Sequence, residues 1–248
     1  VVQITFKEGK WVPKYVSLIS EGFGYQESEI YGIISDVAYL KELIDKYWFL
    51  TEDILNESIY YPLEGYLYPD TYIFSKEATI KEIIEKILDN TNTKLEPYKA
   101  LLTSSDKYSI HEYMTMASII ELEANKEEDR KKVSQVLYKR LDSNDTLGSD
   151  VTTYYGAKKS MSEELSWNEL TTSTPYNTRV TDGSMNGKLP VGPITNPTVS
   201  SIDASLNKAD TDYYYFIANV CTGEVFFTST IEEHIAKGKE LSSICELN

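Results

Sequence analysis

The stretch from Ser109 to Ala124 constrains the fold most, because it predicts a helix that other parts of the chain must cover. Ser109 and Glu112 match the S-x-x-E capping box, so the helix is predicted to begin at Ile110. At about 100° per residue, its apolar side chains fill an arc of roughly 120°; they are Ile110, Tyr113, Met114, Ala117, Ile120 and Ala124. One face of this helix is therefore predicted to lie in a core.

Two glutamates near the end of this helix are predicted to have different surroundings. Glu121 falls inside the apolar arc, and Glu123 falls roughly opposite, near Glu112. A carboxyl within an apolar face is desolvated, which favours its protonated form, and a protonated glutamic acid suits the cleavage of a glycosidic bond. Glu121 is therefore the catalytic candidate, and the alternative is a buried glutamate paired with Arg or Lys. Glu123 is predicted to be a solvated or structurally bonded surface group.

Composition places the chain among soluble globular proteins and excludes some partners. Of its 248 residues, 41% are apolar and 25% are charged. The net charge of −15 argues against nucleic acid or an anionic membrane surface as the main partner, because both attract basic patches. No stretch approaches the ~20 apolar residues of a membrane span. Any membrane anchor is therefore expected upstream of Val1.

Motifs for metal, cofactor and nucleophile chemistry are weak or absent. His111 and Glu112 begin an H-E-x-x-H pattern, but position 115 is threonine. The sequence has no G-x-S-x-G elbow, no P-loop and no G-x-G-x-x-G motif. Cys221 and Cys245 are too few for a four-cysteine zinc site, and whether they pair is left open. We expect no metal and no cofactor.

The remaining pattern predicts an α+β protein in two parts. A strand at 2–6 and amphipathic segments at 12–21 and 27–46 indicate a small α/β unit, so a first domain is predicted over 1–46 and a mixed α+β domain over 47–248. The second part is predicted to contain ordered extended chain at 60–74, helices at 78–90, 127–141 and 231–243, and a hairpin of strands 213–220 and 224–230. The stretch 171–200, rich in proline and glycine, is predicted to be an ordered functional loop.

Six stretches in order resemble the endolytic murein transglycosylases of the YceG-like (MltG) family. They are LEGYLYPDTYIF (63–74), ASIIELEA (117–124), LGSDVTTYYG (147–156), TPYNTR (174–179), LPVGPITNP (189–197) and the terminal pair YYYFIA (213–218) with FTSTIEEH (227–234). The opening VQITFKEGKWVPKYVSLI is similar to the LysM-like subdomain of that family. The sequence departs from the family pattern at Leu122, Thr174, Arg179, Val191 and Val225, which affects the expected shape of the sugar subsites.

The resemblance implies an exported lytic transglycosylase that cuts peptidoglycan glycan strands internally. It implies a single N-terminal membrane helix with this region on the extracytoplasmic side, and cell-wall synthases or division proteins as candidate partners. The first glutamate of the matching block is Glu121, which would protonate the oxygen between N-acetylmuramic acid and N-acetylglucosamine. As a carboxylate it would then take the C6 hydroxyl proton, giving a 1,6-anhydro end without the second carboxylate of ordinary glycosidases.

Other residues in the matching blocks are candidates for substrate binding, with loop scaffolding as the alternative for each. They are Glu64, Ser118, Asp150, Thr152, Tyr176 and Asn177. One rival function is a muramidase-type hydrolase with Glu121 as acid and Asp150 or Glu64 as second carboxylate. The other rival is a cell-wall-binding protein without catalytic activity.

Overall fold

The computed structural model describes residues 1–219 and 222–245, with side chains as far as Ser242. The N-terminal half contains β1 (Val2–Thr5), α1 (Val12–Phe23), α2 (Glu27–Ile34), α3 (Val37–Lys46), β2 (Thr71–Phe74), α4 (Ile80–Leu95) and α5 (Lys99–Thr103), with 3₁₀ helices at Glu52–Leu55 and Glu96–Tyr98. Then follow α6 (Ile110–Glu123), α7 (Glu127–Asp142), α8 (Asp150–Gly156), α9 (Trp167–Thr171), α10 (Val199–Leu206), β3 (Tyr215–Ala218), β4 (Val225–Thr228) and α11 (Ile231–Cys245). The predicted α+β class is confirmed.

The first strand pairs with a segment from beyond the predicted first domain. β1 and β2 are antiparallel, with Val2 opposite Phe74 and Thr5 opposite Thr71. Side chains of α1 to α4 form one core with this sheet, and that core extends to Leu102 and Met114. Both the strand pairing and the core cross residue 46, so residues 1–46 pack as part of a larger unit. The LysM-like character of residues 1–46 stays a prediction.

Local capping sets several helix boundaries. The predicted segment 27–46 is two helices, because the Asp36 carboxylate accepts the Tyr39 N–H at 2.8 Å and begins α3. Thr79 and Glu82 form a capping box that begins α4, which runs past the predicted end at residue 90 to Leu95. The segment 60–74 is turns followed by β2, so its prediction as ordered, non-helical chain is confirmed.

The helix α6 begins as predicted and lies between two cores. The Ser109 hydroxyl accepts the Glu112 N–H, and the Glu112 carboxylate accepts the Ser109 N–H. Met114 and Ala117 pack into the N-terminal core. Three other side chains of α6, and that of its C-cap residue, pack into a second core with α7 and α8; they are Met116, Ile119, Ile120 and Ala124. The helix is thus covered on more than the one face that its apolar arc predicts.

The long segment between α9 and β3 contains a helix that the sequence pattern missed. α10 packs against α6 and α7, and it follows Pro197 and the N-cap Thr198. The C-terminal hairpin is confirmed, with Tyr215 opposite Thr228 and Ala218 opposite Val225. The question of a Cys221–Cys245 disulfide lies outside the described residues, because Cys221 and the side chain of Cys245 are not among them. Within the described ranges no helix is long and apolar enough to cross a membrane.

Candidate active site

Glu121 lies in a closed polar cluster between α6, α7 and α10. Its side chain is 2% exposed, and its Oε1 accepts a hydrogen bond from Arg130 Nη2 at 3.0 Å. Oε2 accepts from the Thr198 N–H at 2.9 Å, the Thr198 hydroxyl at 2.8 Å and the Ser201 hydroxyl at 2.7 Å. The carboxylate therefore lies at the N-terminus of α10, where the helix dipole also favours negative charge.

These contacts correspond to the alternative interpretation of Glu121, a buried glutamate paired with a basic residue. Arg130 is itself only 12% exposed, and it also donates to the Ala124 carbonyl at 3.0 Å. A guanidinium and three further donors thus contact this carboxylate. The expectation that Glu121 is a desolvated carboxyl without a basic partner is therefore wrong. Its assignment as the catalytic residue stays a prediction.

Glu123 has a different environment at the last position of α6. Its side chain is partly buried, and its Oε1 accepts a hydrogen bond from the Ser149 hydroxyl at 2.5 Å. The pKa of Glu123 is raised to about 7, chiefly because burial disfavours the charged form. The Ser149 hydrogen bond and the Arg140 charge lower the pKa, and the negative charge of Asp150 raises it, and the value is the net result. Glu123 is structurally bonded, as the sequence allowed, but it is not a solvated surface group. It is a carboxyl that is partly protonated at neutral pH.

The segment that contacts Glu123 is held in place from the TPYNTR loop. Ser149 is the N-cap of α8, and its N–H donates to the Thr178 hydroxyl at 3.1 Å. The Thr152 hydroxyl donates to the Ser149 carbonyl at 2.7 Å and bonds the Thr178 hydroxyl at 2.8 Å. Asp150 is 58% exposed and forms an ion pair with Arg179. Thr152 therefore positions the start of α8, and Asp150 is left at the surface near Glu123.

A cleft of about 440 Å³ adjoins this end of α6. Leu122 and Val151 line it, and these are the chain neighbours of Glu123 and Asp150. The turn after β1 also contributes to the cleft, and a Cβ placed on Gly9 would lie 3.4 Å from Leu122 Cδ2. Other side chains that line the cleft are Lys10, Trp11, Tyr154, Tyr155, Lys159 and Met161. The aromatic and basic groups among them suit a polar, ring-shaped ligand.

Three predicted substrate-binding residues are instead internal scaffolding. The Ser118 hydroxyl accepts the Ile194 N–H at 3.0 Å and is fully buried. The Tyr176 hydroxyl accepts the Tyr60 N–H at 3.1 Å, and its ring is also fully buried. The amide of Asn177 donates to the Thr172 and Leu170 carbonyls, at 2.8 and 3.1 Å. Their polar atoms are thus used in holding loops, which is the alternative that the sequence left open.

Glu64 is also internal, with 1% of its surface exposed. Its carboxyl oxygens accept hydrogen bonds from the Val12 N–H, the Tyr155 hydroxyl and the Asn196 amide. Its pKa is raised to about 8, because the effect of burial exceeds the lowering by the bonds from Val12 and Tyr155. A side chain so enclosed does not contact a substrate directly. Of the six predicted substrate-binding residues, Asp150 alone is exposed.

The departures from the family pattern fall in several different places. Leu122 lines the cleft, and Arg179 pairs with Asp150 beside it. The Thr174 hydroxyl accepts the Asn177 N–H at 2.9 Å, which a serine would do equally well. The Val191 carbonyl contacts His111, and Val225 is buried in the hairpin. Only Leu122 and Arg179 are therefore placed where they affect the cleft.

Some residues of the site were not found from the sequence. Arg130 lies in a predicted helix but carries no motif, and Ser201, which also donates to Glu121, belongs to the missed α10. The signal for α10 was the N-cap Thr198 directly after Pro197. Ser149 and Trp11 precede helices as N-caps without a capping hydrogen bond. Ser149 and Trp11 contact residues from distant segments of the chain, and local sequence patterns do not show such contacts.

Comparisons with known proteins identify relatives of this chain. The endolytic murein transglycosylase of Bacillus subtilis strain 168 is 36% identical over 97% of this chain and 66% of that protein. That of Streptococcus pneumoniae D39 is 30% identical over 81% of this chain and 36% of that protein. The chain thus spans less than two thirds of the length of these relatives.

A solved structure and a family model agree with these relatives. The crystal structure of a YceG-like protein from Listeria monocytogenes superimposes with a TM-score of 0.86 at 34% identity, over 95% of this chain and 76% of that one. A model described as the YceG-like family matches residues 1–240. The match covers both cores, the cleft and the two glutamates at the end of α6. The chain belongs to the YceG-like family.

Proposed function

We propose that this protein cleaves murein glycan strands internally by lytic transglycosylation, with Glu123 as the general acid. Two relatives are named endolytic murein transglycosylases, which supports the reaction class and a peptidoglycan substrate. The single observation that carries the proposal is the position of Glu123 at the end of α6, bonded to the Ser149 hydroxyl and next in the chain to Leu122, which lines an aromatic cleft. Burial there raises its pKa to about 7. A carboxyl with that pKa is available in both protonation states at neutral pH, as a group that acts first as acid and then as base requires.

In the proposed reaction one carboxyl performs two proton transfers. Protonated Glu123 donates to the glycosidic oxygen as the bond from that oxygen to C1 of N-acetylmuramic acid breaks. The Glu123 carboxylate then takes the proton of the C6 hydroxyl of the same sugar, and the C6 oxygen bonds to C1. The product is a 1,6-anhydro end and a free hydroxyl on N-acetylglucosamine. No water is consumed, and attack within one sugar gains from proximity.

The surroundings of the two glutamates support Glu123 over Glu121 as the acid. Glu121 is bound by Arg130 and by three further donors from Thr198 and Ser201. Both oxygens of the Glu121 carboxylate are therefore engaged within the protein. Glu123 accepts a hydroxyl hydrogen bond from Ser149, and burial raises its pKa. Glu123 is therefore the better placed of the two to act as an acid.

The cleft supports a saccharide substrate. Its lining combines the rings of Trp11, Tyr154 and Tyr155 with the basic residues Lys10 and Lys159, on a protein whose net charge is −15. Aromatic rings stack on sugars, and the amines complement the carboxylates carried by muramic acid and its peptides. We further propose that this region works outside the cytoplasmic membrane, next to a membrane anchor and to cell-wall synthases or division proteins.

Digestion of intact peptidoglycan by wild type, Glu123→Gln and Glu121→Gln tests the proposal. Products are read by mass spectrometry, and thermal melting verifies each fold. Wild type should release anhydro-ended fragments, and Glu123→Gln should lose about 10²- to 10⁴-fold in rate with the fold retained. If a fully folded Glu121→Gln is inactive while Glu123→Gln is active, the acid is Glu121 and the proposal for Glu123 fails.

The same digestion separates the hydrolase alternative. Asp150 is a second carboxylate close enough to raise the pKa of Glu123, so a two-carboxylate scheme has a structural basis. A hydrolase would leave reducing ends that are one water heavier than anhydro ends. An Asp150→Asn variant that stays active and still yields anhydro ends would leave Glu123 as the single required carboxyl.

A further inference from the structure

Glu64 connects segments that are distant in the sequence. Its Oε2 accepts the Val12 N–H at 2.9 Å and the Tyr155 hydroxyl at 3.2 Å, and its Oε1 accepts the Asn196 amide at 3.2 Å. These partners lie 52, 91 and 132 residues away along the chain. A buried carboxyl with three neutral donors is costly to maintain compared with an apolar side chain of the same size. What only the carboxyl supplies here is acceptor oxygens for three separate segments.

Two of these segments carry aromatic residues that line the cleft. Trp11 precedes Val12, and Trp11 and Tyr155 both line the cleft. Their ring centroids are 5.6 Å apart at an angle of 65°, an edge-to-face contact. Glu64 therefore holds the backbone next to one ring and the hydroxyl of the other. It lies beneath the cleft and is itself closed to any ligand.

Asn196, which bonds to Glu64, also bonds to Lys10, another residue that lines the cleft. Its amide also donates to the Lys10 carbonyl at 3.2 Å, and its Oδ1 accepts the Gly65 N–H at 2.9 Å. The segment Lys10–Val12 is thus bonded on both sides of Trp11, once through Glu64 and once through Asn196. Because Trp11 is the N-cap of α1 without a side-chain capping bond, these bonds fix where α1 begins.

We propose that Glu64 is a positioning residue for glycan binding, which holds Trp11 and Tyr155 together as one preformed surface of the cleft. The proposal rests on the proposed function, since it assigns that cleft to the glycan strand. Glu64 does not contact the substrate. Removing its carboxyl releases two rings that must then be ordered when the glycan binds, and this ordering weakens binding. The effect should therefore appear in KM and Kd more than in kcat.

Three variants separate this role from simple stabilisation. Glu64→Ala removes all three bonds, and Tyr155→Phe removes one bond but keeps the ring. Glu64→Gln has one acceptor oxygen. In the Oε2 position this oxygen still accepts from the Val12 N–H and the Tyr155 hydroxyl. The NH₂ group of the glutamine then faces the Asn196 amide, and two donors cannot bond to each other. Gln should therefore keep the link between the rings and lose the link to Asn196. The control is Thr91→Ala, whose buried hydroxyl donates to the Tyr66 carbonyl at 2.7 Å and lies in no part of the cleft lining.

Steady-state kinetics are measured on soluble, uncrosslinked glycan strands, and Kd is measured for the same strands in a Glu123→Gln background. Glu64→Ala should raise KM and Kd on the order of tenfold, with a smaller change in kcat, and Tyr155→Phe should raise both a few-fold. Glu64→Gln should bind nearly as wild type. Thr91→Ala should lower the melting temperature without a change in KM.

Unchanged KM and Kd in Glu64→Ala, together with a lowered melting temperature, would overturn the positioning role. If Glu64→Ala does not fold, Tyr155→Phe decides, and an unchanged Kd in that variant would overturn the proposal. Kd does not depend on turnover, so the two proposals fail differently. A wild type that binds glycan without cleaving it contradicts the transglycosylase, whereas an active wild type with indifferent Glu64 and Tyr155 variants contradicts the positioning role alone.

Discussion

The two sides of α6 at its C-terminal end present the same side chain in two electrostatic settings. Glu121 faces α7 and α10, where Arg130 supplies a positive charge and Thr198 and Ser201 supply further donors. Glu123 faces the start of α8, where it accepts one hydroxyl hydrogen bond and burial raises its pKa to about 7. Burial is thus common to both sides, and the compensating charge differs. A desolvated carboxyl is therefore a better candidate acid where no cation bonds to it directly, as Arg130 does to Glu121.

The largest expected difference between Glu121 and Glu123 is in their contribution to the free energy of unfolding. Glu121→Gln should lower the free energy of unfolding by about 3–5 kcal/mol, because it leaves the buried Arg130 charge without its counterion. Glu123→Gln, two residues away, should change the free energy of unfolding little at pH 6. It should not lower it at pH 8, where wild type holds mostly a buried carboxylate. Urea denaturation of both variants measures the difference. Equal losses in the two variants would contradict the distinction between the two sides.

A second test uses the pH dependence of stability through Glu64. Its folded-state pKa is about 8, above the value of about 4.3 expected in the unfolded chain. Between these values the native state holds a proton that the unfolded state releases, so stability falls as pH rises. Wild type should therefore lose roughly 3 kcal/mol relative to Glu64→Gln between pH 5 and pH 8. A constant difference between the two urea midpoints across this range would show that Glu64 does not titrate there.

The pH profile of activity sharpens the assignment of Glu123. An acid must be protonated, so kcat/KM should fall as pH rises through about 7, the pKa of Glu123. Asp150→Asn removes a charge that raises this pKa, so the alkaline limb should move to lower pH. Ser149→Ala removes a hydrogen bond that lowers it, so the limb should move to higher pH. Shifts in the same direction for both variants would contradict Glu123 as the titrating acid.

The smallest expected effect concerns Leu122, one of the positions at which the sequence departs from the family pattern. Leu122 lines the cleft next to Glu123, so Leu122→Lys adds a positive charge that favours the Glu123 carboxylate. The alkaline limb should move to lower pH by less than one unit, because an exposed ammonium in the cleft is screened by solvent and salt. The same pH–rate measurement, repeated at high salt, checks this, and the shift should shrink as the salt concentration rises.

Local sequence signals predicted much of the fold. The capping box at Ser109 predicted where α6 begins, apolar spacing predicted α4, and the turn glycine Gly223 between two strand segments predicted the β3–β4 hairpin. A capping signal also separates α2 from α3, through Asp36, but the periodic pattern there suggested a continuous segment. The first domain was predicted to end at residue 46 because local patterns do not show that β1 pairs with β2. Thr71 of β2 lies 66 residues from Thr5 of β1.

The site was predicted less well than the fold. The apolar arc of α6 placed Glu121 and Glu123 on different faces of the helix, and in the structure the two side chains do contact different elements. The arc indicated only which face is apolar. It did not indicate that a second core covers the other face or that Arg130 compensates Glu121. Glu64, Ser118 and Asn177 were found as polar residues in the family blocks, and their hydrogen bonds to distant backbone show that they hold loops.

The sequence alone determined the boundaries of α6, the α+β class and the resemblance to the YceG-like family, since these depend on neighbours within a few residues or on ordered motifs. Which groups face the two carboxyls depends on contacts between distant segments of the folded chain. Arg130 lies nine residues from Glu121, Ser201 lies 80 residues from it, and Ser149 lies 26 residues from Glu123. The protonation of a buried carboxyl depends on the charges and donors within a few ångströms of it. At this site the folding of α7, α8 and α10 around α6 supplies those groups.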